Sequence, residues 1–495
     1  MKDSLPELLY LLRDGQVRGI SAQALRKLAR SLSVLDAELL GIVFDGITPQ
    51  SDQLQAIIDE NPGASIKVGS SLSQVLLLDK PIVIESPARV VIDCTVKVQD
   101  GSIRPLLADM EQGATQIHAL DADQHFAPGQ QVCIVDDNRQ LQGGSEQVRR
   151  FSDANYVEAV DGNSITLRFP ADPSNRGTVT VSANGVVGHA QSAFVVKSPG
   201  VSIGGRGVID VNGENQNWEV FSPVATDPDL SGEDTTFGSG IATYRSQSDG
   251  FHLFGSLTIK NALLHNLSLR GADNVRIDSV ECLDAHDKNI LVWSCSGLVA
   301  GFLKTGASLY EDGLILYQGV KDAYIERVEA EDAPRSGVNS GTAAVNITFG
   351  SIYTKNCTVN LRGERISCGD IKIEGSRCLI GGGGAPENRV VIGSLTVKDA
   401  TRRALLVLSM DSLELGSFIC TTPTTDRPVI DVGEGVGSVL IRGGVVAGAG
   451  SGNLFDIKSP TIISGMSIDY DYLGNPFNAT TTDNLRLNDA FGWQP

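Results

Sequence analysis

Nine short segments in the second half of the chain repeat one pattern of apolar and polar positions. They recur at intervals of 21 to 25 residues, and the second residue of every segment is aliphatic. Each interval also contains another run of β-forming residues, as in NVRIDSV, DAYIERV and NRVVIGSLTV. The segments are NLSLR from Asn266, NILVW from Asn289, GLILY from Gly313, GVNSG from Gly337, TVNLR from Thr358, LIGGG from Leu379, ALLVL from Ala404, PVIDV from Pro428 and NLFDI from Asn453.

This period predicts a solenoid. A repeat of this length that contains only strands is typical of chains in which each coil covers the next. The aliphatic column would form the wall of a continuous core, so the predicted fold is all-β, a right-handed parallel β-helix. The 54 glycines agree with this fold, because tight turns between short strands need residues of this kind. The column is Leu267, Ile290, Leu314, Val338, Val359, Ile380, Leu405, Val429 and Leu454.

Five regions can be separated along the chain. Residues 1–46 contain SLPELLYLLRDG and SAQALRKLARSLS, which predict a short helical N-terminal module for docking or oligomerisation. Residues 47–112 contain a capping helix and strand, SDQLQAIIDENPGASIKV, and the first coils. Residues 113–170 alternate apolar and polar positions and predict a small antiparallel β insertion. The main β-helix is expected over 171–475 and a polar tail over 476–495.

Charge and composition argue against several classes of protein. A net charge of −19 disfavours nucleic acids and anionic membranes as partners. No apolar run reaches the roughly 20 residues that span a bilayer, and MKDSLPELLYLLRDG is not expected to be a secretory signal. The eight cysteines lack zinc-site spacing, so no metal and no cofactor are predicted. Cys357 and Cys378 each precede a segment by one residue, which predicts stacked buried thiols, with a disulfide as the alternative.

The fifth position of the stacked segments collects aromatic and arginine side chains. Aromatic residues are only 5% of the chain, so three of them in six coils are hard to ascribe to chance. Flat rings stack on sugar faces and guanidinium groups bind hydroxyls or carboxylates, so the column predicts a groove for a linear glycan. Aromatic stacking that only stabilises the solenoid is the alternative. The column is Tyr244, Arg270, Trp293, Tyr317, Gly341 and Arg362.

Acidic residues collect in the turns that precede these segments. Asp287 and Glu311 are one coil apart, so their carboxylates are expected to lie about 5 Å from each other, as in a retaining glycosidase. Asp287 and Asp332 would be further apart, as an inverting pair requires. One acid of such a pair should have a raised pKa and act as general acid. Asp312 completes the predicted catalytic set, and Arg335 would stabilise a carboxylate or a substrate charge.

Two other interpretations of these residues stay open. Acids before Gly or Asn are ordinary turn residues, and His286 is a lesser candidate for proton transfer. A lyase that abstracts a proton beside a uronate would use arginine or lysine, and Arg335 fits an acidic substrate, as do Arg377, Arg402 and Arg403. No calcium-loop signature is present. The irregular segment from Gly213 to about Ser239 contains Trp218 and Glu219, and loops of this length are usually functional.

The order of these regions resembles that of bacteriophage tailspikes in the pectate-lyase-like superfamily of β-helix proteins. The resemblance covers the helical pair at 4–33, the capping segment, the insertion and the coils to about 470. GVIDVNGENQNW is also similar to a turn of polygalacturonase-type coils, and its Trp218 would lie near the groove. The chain lacks the paired aspartates of polygalacturonases, and SDGFH from Ser248 matches their N-T-D-G turn only loosely. That catalytic set therefore cannot be carried over.

The resemblance implies a homotrimer in the phage virion, made in the host cytoplasm and fixed to tail, baseplate or adaptor proteins by its N-terminus. It would bind and hydrolyse a bacterial surface polysaccharide, with carboxylates on the coil face. A receptor-binding spike or adhesin without catalysis is a second hypothesis, and a polysaccharide lyase is a third. Neither nucleic acid binding nor membrane insertion is expected.

Overall fold

Two compact units make up the chain in the computed structural model, Met1–Leu263 and Leu264–Pro495. The structure describes residues 34–142, 146–171, 180–216, 237–382, 387–423, 427–449, 453–471 and 484–488. Each unit contains stacked parallel β-coils. The helices predicted before residue 34, Trp218 and Glu219 lie outside the described residues.

The first unit opens with short strands whose apolar residues alternate. They are β1 (Val34–Asp36), β2 (Asp45–Pro49), β3 (Ser65–Val68), β4 (Val75–Leu78), β5 (Ile82–Ile84), β6 (Arg89–Ile92) and β7 (Thr95–Val98). In β3 the side chains of Ile66 and Val68 are buried, whereas those of Ser65 and Lys67 are partly exposed, as period-2 alternation requires. A helix, α1 (Ser51–Asp59), lies within the predicted capping segment and buries Leu54, Ile57 and Ile58, and its capping role stays a prediction. The coils begin earlier than expected, because β1 pairs in parallel with β3.

Antiparallel strands interrupt these coils. They are β8 (Ile103–Pro105), β9 (Met110–Glu111), β10 (Gln116–His118), β11 (Gln131–Gln142), β12 (Glu146–Asp161), β13 (Ser164–Leu167), β14 (Thr180–Val181) and β15 (Val186–His189), with a short helix α2 (Ala122–His125). Six of them form a sheet in the order β10-β13-β12-β11-β15-β8. Val132, Ile134, Val157 and Ile165 belong to its own apolar core. The boundaries 113–170 of the expected insertion stay a prediction.

Six more strands complete the first unit, β16 (Phe194–Val196), β17 (Ser202–Gly205), β18 (Val208–Asp210), β19 (Ile241–Thr243), β20 (His252–Gly255) and β21 (Leu257–Lys260), with 3-10 turns at Gly213–Gln216 and Arg245–Ser248. The parallel pairs run in three columns. The first column is β1-β3-β6-β17-β20, the second is β2-β4-β7-β18-β21 and the third is β5-β16-β19. Each coil therefore has three walls.

The second unit alternates short and longer strands. The strands are β22 (His265–Arg270), β23 (Arg276–Leu283), β24 (Lys288–Trp293), β25 (Val299–Thr305), β26 (Leu314–Tyr317), β27 (Lys321–Glu331), β28 (Val338–Ser340), β29 (Val345–Lys355), β30 (Val359–Leu361), β31 (Glu364–Glu374), β32 (Cys378–Gly381), β33 (Arg389–Lys398), β34 (Leu405–Leu408), β35 (Met410–Thr421), β36 (Ile430–Val432), β37 (Val436–Ile441), β38 (Gly444–Ala449), β39 (Phe455–Ile457), β40 (Thr461–Ser464), β41 (Met466–Asp471) and β42 (Leu485–Asn488). Every described pair between them is parallel. The predicted parallel β-solenoid is confirmed, and parallel crossovers of this kind are right-handed in about 98% of cases.

One wall of the second unit consists of β22, β24, β26, β28, β30, β32, β34, β36 and β39, here called the short-strand sheet. The predicted register is confirmed across its first five strands, where Leu267 pairs with Ile290, and Leu314 with Val338. The second-position side chains of these strands are fully buried. Burying a leucine or isoleucine side chain contributes about 1.5–3 kcal/mol, so this column is a large part of the folding free energy.

The predicted register is wrong in the later coils. Val359 pairs with Cys378 and not with Ile380, and Leu405 pairs with Ile430 and not with Val429. Cys378 and Ile380 are both buried, as are Val429 and Ile430, so the apolar pattern does not distinguish the two registers at either place. Between the last two segments the predicted register is confirmed, because Ile430 pairs with Phe455 and Val429 is therefore opposite Leu454.

The same shift separates the two cysteines that were expected to stack. Since Val359 is opposite Cys378, Cys357 lies two residues out of register with it. All eight cysteines are free and buried. Burial raises the pKa of the Cys357 thiol to about 11, so these groups are unreactive thiols of the core.

The longer strands bend at glycine. The backbone of Gly369 passes so close to the coil before it that an added Cβ would lie 2.4 Å from the carbonyl oxygen of Gly350. The C-terminal end also differs from the expected tail, because β42 pairs in parallel with β40 and extends the coils beyond residue 484.

Candidate functional site

Three side chains of the predicted fifth column lie in register at the C-terminal ends of neighbouring strands of the short-strand sheet. Arg270 pairs with Trp293, and Trp293 pairs with Tyr317. The ring centroids of Trp293 and Tyr317 are 4.8 Å apart and their planes are tilted by 57°. The guanidinium carbon of Arg270 is 5.3 Å from the Trp293 ring centroid. Both rings are partly exposed, so they present two adjoining apolar faces to solvent.

Asp287 lies in the turn before β24 and is almost completely buried. Its Oδ2 accepts hydrogen bonds from Lys288 Nζ at 2.8 Å and, with the proton assigned to that nitrogen, from His265 Nε2 at 3.1 Å. Burial alone would raise the pKa of this carboxyl, but the Lys288 ammonium and His265 hold it well below its usual range. Asp287 is therefore an ionised member of a buried charge network and is not the acid with the raised pKa.

His265 is the neutral partner in this network. Burial lowers the pKa of its imidazole to about 4, although the hydrogen bond to Asp287 opposes that shift. A neutral imidazole donates from one ring nitrogen only, which fits a single bond to the carboxylate. The positive charge of the network therefore resides on Lys288.

Glu311 is one coil further along, in register with Asp287 as predicted, since Ile290 pairs with Leu314. Its Oε2 accepts a hydrogen bond from Arg335 Nη1 at 2.5 Å. The Arg335 side chain is 56% exposed and that of Glu311 is 10% exposed, so the pair reaches solvent. Burial lowers the pKa of Arg335, but Glu311 and Asp312 outweigh it and raise that pKa above its ordinary value. Arg335 is thus a permanent cation and a poor candidate for the base of a lyase.

Asp312 is the carboxyl group with the raised pKa. It is completely buried, and its Oδ2 accepts a hydrogen bond from Asn339 Nδ2 at 3.1 Å. Burial raises the pKa to about 6, and the charge of Glu311 adds to this, while Asn339 and Arg335 oppose it. The site therefore contains a carboxylic acid that is protonated in mildly acidic solution, next to a carboxylate that is paired with arginine.

Arg362 is the fifth-column residue that joins these acids. Its Nη2 donates to Asn339 Oδ1 at 3.4 Å, and Arg335 and Asp312 both shift its pKa, which burial lowers first. Gly341, one coil before it, lies close to Tyr317, since an added Cβ would be 3.4 Å from the Tyr317 Cα. Arg335, Arg362 and Asp312 therefore converge over the outer face of β26 and β28.

One predicted residue lies apart from this cluster. Asp332 is exposed in the turn after β27, where its Oδ1 accepts a hydrogen bond from Asn356 Nδ2 at 2.8 Å. Its backbone has a positive φ of 55°, a conformation that Asp and Asn tolerate in turns. We therefore interpret Asp332 as a turn residue that is hydrogen-bonded to the next coil. No observation supports an inverting pair of Asp287 and Asp332. Tyr244 belongs to the first unit, where Lys197 Nζ is 5.0 Å from its ring centroid.

Three residues of the site were not predicted, His265, Lys288 and Asn339. Asn339 lies in the aligned segment GVNSG and Lys288 directly precedes NILVW, but the predicted site contained only acidic, arginine and aromatic side chains. His265 pairs with Lys288 across the coils. A search for histidine or lysine next to each acid in the aligned register would have found both.

The chemistry of the cluster is that of carboxylates, arginines and aromatic rings. Among the described residues no group of three His, Cys, Asp or Glu side chains is arranged to hold a metal ion. No helix in the described ranges is long and apolar enough to cross a membrane. A buried proton donor beside an arginine-bound carboxylate is suited to general acid–base catalysis.

Comparison with solved structures gives several proteins of related fold. The tailspike protein gp49 of Pseudomonas phage LKA1 is 14% identical over 92% of this chain and 79% of that chain, with a TM-score of 0.38. The chain is similar to phage tailspikes. The Gp54 tailspike of Acinetobacter baumannii bacteriophage AP22, solved with A. baumannii capsular saccharide, is 11% identical over 93% and 80% of the two chains, with a TM-score of 0.37.

A bacterial protein is also among these structures. PfbA, a surface adhesin of Streptococcus pneumoniae, is 10% identical over 90% of this chain and 91% of its own, with a TM-score of 0.46. No family model and no curated protein matches the sequence. The parallel β-solenoid is established by the strand pairing of this chain, and the assignment of site residues rests on this chain alone.

Proposed function

We propose that the outer face of the short-strand sheet binds a bacterial surface polysaccharide and hydrolyses it. The observation that carries the proposal is the neighbouring pair Glu311 and Asp312, of which Asp312 has a pKa raised to about 6 by burial. Hydrolysis of a glycosidic bond needs one carboxyl group that holds a proton and one that is ionised. The partly exposed rings of Trp293 and Tyr317, in the same coils, supply apolar faces for the sugar.

The roles follow from the environments of the two groups. Asp312 donates its proton to the oxygen of the leaving sugar, so that the bond from this oxygen to the anomeric carbon breaks. The Glu311 carboxylate assists attack at that carbon, and water supplies the new hydroxyl group while its remaining proton restores the acid form of the carboxyl pair. Arg335 is bound to Glu311 and lies on the solvent side of the pair. Because Asp312 is completely buried, the sugar reaches its proton only when the side chains around it move.

Asp287 has a positioning role in this proposal. Its carboxylate fixes the ammonium of Lys288, which in turn acts on the charge of Asp312. It is not assigned to bond cleavage, in contrast to the expectation from the sequence.

Digestion of purified bacterial capsular and lipopolysaccharide polymers tests the proposal. New reducing ends are expected with wild type and are expected to be lost in Glu311→Gln and Asp312→Asn while binding persists. Asp332→Asn is the matched control, because that acid is exposed and lies outside the cluster. Full activity in both cluster variants would overturn the assignment. An unsaturated uronate product would identify a lyase.

A glycan-binding spike without catalysis is the second candidate, and the burial of Asp287 and Asp312 favours it. Binding by wild type without any cleavage would establish that function. The wider expectation, a homotrimer attached to a phage tail through residues near the N-terminus, stays part of the proposal. Light scattering of the full chain measures the subunit number directly.

A further inference from the structure

Five arginines come from four successive coils of the second unit, and we call them the arginine row. Arg335 precedes β28 and Arg362 follows β30. Arg377 precedes β32, and Arg402 and Arg403 precede β34. Val338 pairs with Val359, Val359 with Cys378 and Cys378 with Leu405, so these coils are adjacent, at spacings of about 4.8 Å.

Carboxylates neutralise only part of this row. Arg335 is bound to Glu311, and Arg403 Nε donates to Asp431 Oδ2. Arg362, Arg377 and Arg402 have no carboxylate partner among the described residues. The chain as a whole has 59 acidic and 40 basic side chains, so an excess of cations in one strip runs against its composition.

Two guanidinium groups of the row also contain a buried N–H donor that has no acceptor among the described residues. The Nε atoms of Arg362 and Arg377 are buried and make no hydrogen bond within the described ranges. On the same face two buried acceptors, Asp312 Oδ1 and Asn360 Oδ1, likewise have no hydrogen-bond donor within the described ranges. Buried polar atoms without partners are rare in folded proteins, since each has lost its hydrogen bonds to water without replacing them.

The pKa values of two of these arginines also indicate repulsion within the row. Burial lowers the pKa of Arg377, and the charges of Arg402 and Arg403 lower it further. Burial and the charge of Arg335 likewise lower the pKa of Arg362. Like charges held together in this manner repel one another, and an anion bound between them relieves the repulsion.

We propose that the arginine row binds the carboxylate groups of acidic sugars, so that the polysaccharide recognised by this face is anionic. Guanidinium groups bind carboxylates in a bidentate manner, and a carboxylate can accept from the buried Nε donors. The inference rests on the proposed function only in taking a polysaccharide as the ligand. It adds that the polymer extends from Trp293 and Tyr317 toward Arg402.

An array of bacterial polysaccharides, half of them neutral and half containing uronic acids, tests the proposal. Wild type is expected to bind uronate-containing polymers and to lose at least tenfold in affinity when the best of them is reduced at its carboxyl groups. Arg377→Gln and Arg402→Gln should each weaken binding to the acidic polymer and leave binding to the reduced polymer unchanged. Arg276→Gln is the control, because that arginine is exposed in β23 and bound to Asp278.

Three results would overturn the inference. The first is binding to neutral polymers only, or to no polymer. The second is an equal loss in the arginine variants on both forms of the polymer. The third is cleavage of acidic and reduced polymer at equal rates, which would refute the role of the arginine row while the proposed hydrolysis stands. Charge-dependent binding that needs the row, without cleavage, would refute hydrolysis and leave the row intact.

Discussion

Asn339 Nδ2 donates a hydrogen bond of 3.1 Å to Asp312 Oδ2 from the next coil of the short-strand sheet. It opposes the effect of burial, which raises the pKa of Asp312 to about 6. The balance between these two effects decides whether the acid is protonated at the pH of the reaction. The raised pKa is expected to lower the stability of the folded protein at neutral pH and to permit proton donation by Asp312.

We expect Asp312→Asn to stabilise the protein in neutral and alkaline solution. A carboxyl whose pKa is raised in the folded state costs stability above that pKa, since the charged form must be buried. A shift from 3.8 to about 6 corresponds to an effect on the order of 1–3 kcal/mol at pH 8, which should vanish near pH 4. Urea unfolding at both pH values measures it, with Asp332→Asn as the exposed control. A variant less stable than wild type at pH 8 would contradict the assignment.

The pH dependence of cleavage should follow the same group. If Asp312 donates the proton, kcat/KM falls above about pH 6, where its carboxyl loses that proton. Asn339→Ala removes a hydrogen bond that stabilises the carboxylate, so the falling limb should move to higher pH. A rate that increases from pH 6 to pH 8 in wild type would exclude Asp312 as the acid.

How much of this site the sequence predicts depends on the register. From Asn266 to Thr358 the aligned second positions are true partners in neighbouring coils, so the alignment places the turns of Asp287, Glu311 and Arg335 in successive coils. Beyond Leu361 the predicted register is wrong by two positions at Cys378 and by one at Ile430, because buried side chains at neighbouring positions leave the apolar pattern ambiguous. Sequence spacing also cannot tell how deeply a turn residue is buried, and burial distinguishes Asp312 from Glu311.

The buried network around Asp287 should be important for folding. Lys288→Met leaves a carboxylate without its ammonium partner, and removing one member of a buried ion pair costs about 3–5 kcal/mol. The double variant Asp287→Asn with Lys288→Met should recover much of that loss. Denaturant unfolding of the single and double variants measures the coupling. Equal destabilisation by the single and the double change would show that the charge pair is not the cause.

The aromatic pair should contribute to glycan affinity and little to stability. Trp293→Ala is expected to weaken binding by up to about tenfold, as an aromatic contact of 0.5–1.5 kcal/mol would require. Tyr324→Ala is the matched control, since Tyr324 is an exposed aromatic residue of β27. Titration calorimetry with oligosaccharides measures the difference. An equal loss in both variants would argue against a binding role for Trp293.

The bend of the longer strands offers a test of the fold itself. Gly369→Ala places a Cβ against the carbonyl oxygen of Gly350, so the backbone of at least one coil must move. We expect a loss of about 1–3 kcal/mol, in the range of overpacked cores. Gly443→Ala is the control, because the contact of its added Cβ would be 3.7 Å. Thermal unfolding of both variants measures the effect, and equal midpoints would contradict the proposed bend.

The most direct test of the central claim is a crystal structure of Glu311→Gln with an oligosaccharide from the polymer that wild type binds. The account predicts a sugar ring stacked on Trp293 or Tyr317, with a glycosidic oxygen beside Asp312 and Gln at position 311. A saccharide bound only elsewhere on the protein, with this face empty, would contradict the account.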